Sequence, residues 1–86
     1  MIQQTSLLAY SEVLENLGER QLLVLKVIDK IEPCNNTQIA NYLNLPINYI
    51  TPRVHELRKL KLVKLIKIDT CPITHKKSMF WGRIRK

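Results

Sequence analysis

Glycine is almost missing from this sequence: Gly18 and Gly82 are the only two. A phosphate-cradling loop or a dinucleotide fingerprint needs several glycines at short fixed spacings, so neither can be assembled. Cysteine is equally scarce, with Cys34 and Cys71 far apart in the chain. That excludes a disulfide-dense scaffold. Neither His55 nor His75 has a serine-elbow context, and few acids stand near them. Cys71 and His75 share a three-residue spacer, but the paired short spacings of a four-ligand zinc site are missing. No metal, cofactor or small-molecule ligand is therefore expected, and enzyme chemistry is not. No apolar run approaches the ~18 residues that cross a bilayer. The opening MIQQTSLLAYSE has no basic n-region and no small-residue cleavage site. The expected setting is a reducing cytoplasm, without a membrane partner. One Phe, one Trp and three Tyr are few for a platform that stacks single-stranded bases.

What is present is positive charge, unevenly placed. Residues 1–50 carry three basic and five acidic side chains; residues 51–86 carry eleven basic and only two acidic. The whole chain of 86 residues has a formal net charge of +7. Such concentration on one small domain is an electrostatic footprint for a polyanion. A length of 86 residues gives one domain with a small core.

Ser6 can cap a short helix over about 6–16, with Leu7, Tyr10, Val13, Leu14 and Leu17 at helical spacing. Gly18 can end that helix or cap the next. Residues 19–31, ERQLLVLKVIDKI, form the firmest helix, with Gln21, Val24, Leu25 and Ile28 on one stripe. Arg20 can pair with Glu12 or Glu19. Pro33 stops this helix. Asn36 or Thr37 can cap a second helix over about 37–44, with Ile39, Ala40 and Leu43 inward. About three residues then lead into a third helix, over about 47–60, as in a helix-turn-helix. A hairpin follows over about 62–85: LVKLIKI and SMFWGRIR read as two antiparallel strands around the loop DTCPITHKK. Val63, Leu65 and Trp81 are the candidates for its packed side. The hairpin offers Lys64, Lys67, Lys76, Lys77, Arg83 and Arg85 to an anion.

The stretch Leu45–Val63 organises the rest. With Ile50 at the centre of a helical wheel, Ile47, Val54 and Leu57 fall on its side and predict a core face. Asn48, Pro52, His55 and Lys59 fall opposite, with Thr51 and Glu56 beside them and Arg53 and Arg58 on the flanks. Pro52 fits two arrangements. The helix runs from about 47 through a local distortion, or Thr51 caps a shorter helix with Pro52 at its first position. The shared face of Ile47, Ile50, Val54 and Leu57 favours the first.

These residues resemble the winged helix-turn-helix DNA-binding domains of bacterial repressors. Thr37-Gln38-Ile39-Ala40 with Leu43 carries the resemblance on the second helix. Ile50, Arg53, Val54, Glu56, Leu57 and Leu60 carry it on the third, and Leu62-Val63 enters the wing. Leu17 to Gln21, Thr51-Pro52-Arg53-Val54, Cys71 and Trp81 resemble small stand-alone winged-helix proteins of phages and prophages. The resemblance implies an α+β fold: a three-helix core with a short N-terminal helix and a two-stranded antiparallel wing. It implies binding to double-stranded DNA in transcriptional control. Asn48, Tyr49, Thr51, Pro52 and His55 would then face the major groove. Thr37, Gln38, Arg53, Arg58 and Lys59 would serve phosphates, joined by Lys64, Lys76, Lys77 and Arg83 of the wing. Tyr49 can equally be a core-edge aromatic, and Trp81 a packing anchor. Such domains commonly place glycine where Asn44 and Lys61 stand, and a Thr-Gly turn where Thr74-His75 stands. A protein-interaction module, or a homodimer formed through the acidic N-terminal helix, is the alternative.

Overall fold

The structure, a computed structural model, describes residues 16–85. The helix expected over 6–16 lies outside them, apart from Asn16. Three helices precede a two-stranded antiparallel sheet: α1 (Glu19–Ile31), α2 (Asn36–Leu43), α3 (Ile47–Lys59), β1 (Val63–Thr70) and β2 (Lys77–Arg83). The fold is α+β, in a layout that fits the winged helix.

Each helix ends for a local reason. Gly18 is the N-cap of α1, and its N–H donates to Gln21 Oε1 at 3.0 Å. Pro33 follows the C-terminus of α1 by two residues. The cap of α2 is Asn35, ahead of both expected candidates, Asn36 and Thr37. Asn35 Oδ1 accepts from Gln38 N at 2.8 Å, and Gln38 Oε1 accepts from Asn35 N at 3.0 Å. That reciprocal box satisfies two orphan donors at once. Asn44 closes α2 in the left-handed region, with φ 57. Lys61 does the same after α3, with φ 62, while Leu62 N donates to Leu57 O at 3.0 Å. α3 runs unbroken through Pro52 from an N-cap at Pro46, so the longer of the two readings holds.

The core is a sandwich of helix stripes closed by the wing. Val24, Leu25 and Ile28 of α1, Ile39 of α2, and Ile50, Val54 and Leu57 of α3 are all buried. Leu62, Val63 and Trp81 seal the fourth side. Trp81 also exchanges two backbone hydrogen bonds with Cys34, at 2.7 and 3.1 Å. β2 thus lies between β1 and the connector after α1, and β1 is the outer strand.

Two inward placements are corrected. Leu65 is 38% exposed, because β1 touches the core only at its first residue. Val63 and Trp81 are buried as expected. Ile47 is 48% exposed. It is the first residue of α3, before the helix meets its neighbours, so wheel position alone does not bury it. The strands are in register from Val63↔Arg83 to Leu65↔Trp81, then slip by one residue at Ile66 and resume at Lys67↔Phe80. Ile66 side-chain atoms lie 2.8 Å from where a Cβ on Gly82 would sit. Gly82 is therefore glycine because the bulged isoleucine folds over its backbone. At the hairpin tip His75 takes φ 62, and its N–H donates to Cys71 O at 2.8 Å.

Candidate functional site

Asn48, Pro52, His55 and Lys59 are all exposed along the outer face of α3. On one flank a groove of about 140 Å³ separates α3 from the wing. It is lined by Asn36, Thr51, His55, Arg58, Met79 and Trp81, over Val54 at its base. A chain of hydrogen bonds crosses it. Trp81 Nε1 donates to Asn36 Oδ1 at 3.0 Å, and Asn36 Nδ2 donates to Thr51 Oγ1 at 3.4 Å. Thr51 Oγ1 in turn donates to Ile47 O at 3.2 Å. Arg58 places its guanidinium 5.1 Å from the Trp81 ring centroid. Asn36 and Met79 were not among the site residues read from sequence. Their part depends on α2 starting at Asn36: with Asn35 as cap, the next amide is free to tie wing to helix.

The opposite flank faces α1. Tyr49 is half-buried against the core, with the Arg20 guanidinium 5.2 Å from its ring centroid. Of the two acids expected for Arg20, Glu12 lies outside the described residues. Arg53 forms an ion pair with Glu56, Nε to Oε1 at 2.9 Å, and Gln21 Nε2 donates to the same oxygen at 2.9 Å. The Gln21 hydrogen bond and the Arg53 charge hold the Glu56 carboxyl below its usual value, against partial burial. Arg53 is accordingly committed to a neighbour, whereas Lys59 stands open at the last turn of α3.

The remaining sites divide between two regions. Thr37 and Gln38 lie in the first turn of α2, Gln38 engaged in the capping box. Lys64, Lys76 and Lys77 are exposed on the wing. Arg83 lies apart from them, on the far end of α1. Its guanidinium is 3.6 Å from Asp29, and its N–H donates to Glu32 Oε1 at 3.1 Å. Arg85 reaches the same two acids, Asp29 Oδ1 at 2.7 Å and Glu32 Oε2. Lys67 lies over the Phe80 ring and pairs with Asp69.

Both cysteines are free and buried, in opposite electrostatic settings. Burial and the nearby Glu32 charge push the Cys34 thiol up to about 12. Burial also acts upward on Cys71. The polar groups around the sulfur, from Thr74, Asn35 and Ile73, outweigh it and bring this thiol down to about 7. Among the described residues no three His, Cys, Asp or Glu side chains gather as a metal site. No helix among them is long and apolar enough to cross a membrane. No family model matches the chain, and no curated protein matches it.

Proposed function

We propose that this chain binds double-stranded DNA sequence-specifically and acts as a transcriptional regulator of phage or prophage type. The observation that carries this reading is the outer face of α3. Asn48, Pro52, His55 and Lys59 stand exposed in one row, beside a wing whose Lys64, Lys76 and Lys77 are also exposed. A helix of 13 residues offers side chains at the width of a major groove, and cations beside it neutralise phosphates. Asn48, Thr51, Pro52 and His55 take the base-facing positions. Lys59, Lys64, Lys76 and Lys77 take the backbone. Arg53 and Arg83, held by acids, contribute less than their charge suggests.

About four phosphate contacts, each with a slope near −0.9, give roughly a hundredfold loss of affinity between about 50 and 200 mM salt. Titrating a labelled duplex across that range checks it, and a flat response would sink the reading. Asn48→Ala is expected to cost ~1–3 kcal/mol of discrimination at one base pair. The second reading, a protein-interaction module, is favoured by the outer strand β1, where Leu65, Ile66 and Ile68 are exposed. The Ile66 bulge and the strand lysines guard that edge against pairing. Solution mass and duplex shift, measured on one sample, separate the two readings.

A further inference from the structure

We infer that the reading face selects thymine, through its 5-methyl group, rather than guanine. This rests on the proposal that α3 enters a major groove, and it concerns which bases that helix can tell apart. The commonest specific contact to guanine is a free arginine or lysine fork on O6 and N7. Both arginines of α3 already have partners. Arg53 is ion-paired with Glu56 at 2.9 Å, and Arg58 lies over the Trp81 ring at 5.1 Å.

Apolar groups share the outward surface with Asn48 and His55. Ile47 is 48% exposed, and Met79 across the groove is 45% exposed. Pro52 is exposed in mid-helix and has no N–H. Thr51 is exposed, but its hydroxyl is used twice: it donates to Ile47 O and accepts from Asn36 Nδ2. What Thr51 has left to offer is its methyl group. Only Asn48 and His55, among the base-facing positions on the outer face, keep hydrogen-bonding groups without such commitments. In the major groove the thymine methyl is the one apolar group on a base edge, and threonine methyls and other small apolar groups are its partners. Lys59, open in the last turn of α3 and two turns beyond Pro52, is assigned to the backbone as in the functional reading.

The test starts from duplexes selected from a random-core DNA library. Each thymine of the selected site is then replaced singly by uracil, which removes only the methyl group. The expected site is rich in thymine, and two or more replacements weaken binding by about fourfold each, the worth of one buried methyl. Thr51→Ser keeps the hydroxyl and its two bonds while removing the methyl. It is expected to abolish the uracil effect at one position and leave the others. A selected site dominated by guanine, or uracil replacement without effect while duplex binding persists, would overturn this inference alone. Absence of binding to any selected duplex at low salt would overturn the functional reading, and the inference with it.

Discussion

Three of the described residues hold left-handed backbone without glycine's freedom: Asn44, Lys61 and His75, with φ between 57 and 62. Asn tolerates this region through its short polar side chain, whereas lysine has no such compensation. At Lys61 the cost is about 1 kcal/mol, net of the backbone freedom that glycine loses on folding. Lys61→Gly is therefore expected to raise the melting temperature by roughly 4–8 °C, read by thermal unfolding. Asn44→Gly should move it less. The glycine-like position at 44 was legible from its place at the end of a helical stripe, and that at 61 only through the resemblance, which puts glycine there. The identity of the cap was not. Asn35 and Asn36 are neighbours with the same chemistry, and only the fold decides that Asn35 caps while Asn36 reaches Trp81 and Thr51. The commitment of Arg53 was equally hidden. Its partner Glu56 is three residues on, but the Gln21 amide that fixes that carboxylate comes from another helix.

At the scale of the element, α3 carries a conflict between stability and surface. Pro52 leaves the Asn48 carbonyl without its backbone donor inside a helix that continues to Lys59. Pro52→Ala restores that bond and removes an interior proline, so the variant is expected to gain about 1–3 kcal/mol in chemical denaturation. No gain would mean that the helix had already adapted to its proline at no cost. The three helices were readable because their apolar spacing is long and regular. The wing was readable as two strands, since β-branched residues alternate with lysines. What periodicity could not give was which strand is central. Leu65 and Trp81 stand opposite each other, yet only Trp81 is buried, because β2 joins the connector at Cys34 and β1 hangs outside. The slip at Ile66 also escaped the pattern, as one extra residue changes no composition.

Across the whole molecule, charge is less polarised than along the chain. Arg83 and Arg85, from the basic half, neutralise Asp29 and Glu32 on α1. This ties the end of the wing to the first described helix. The Arg85 hydrogen bond, the Arg83 N–H and both guanidinium charges hold the Glu32 carboxyl below its ordinary value, while burial opposes them. A depressed folded pKa means that the clasp contributes its stability above the unfolded carboxyl pKa. That contribution fades as pH falls through the folded value. Denaturation midpoints measured from about pH 6 down to about pH 2 should therefore fall less steeply for Glu32→Gln than for the parent chain. Equal slopes would place the acid sensitivity elsewhere, with Glu56 and Asp69 the other depressed carboxyls among the described residues.

Trp81 is the one tryptophan of the chain, 4% exposed, and it stands where wing, α2 and α3 meet. Its indole N–H is held by Asn36 and its ring is covered by Arg58. The molecule thus carries its single indole fluorophore at the joint between its two candidate reading elements. Any event that draws Arg58 toward an external anion uncovers the indole, and any event that opens the joint exposes it to water. Its emission separates these two events by intensity and by colour, with no label attached.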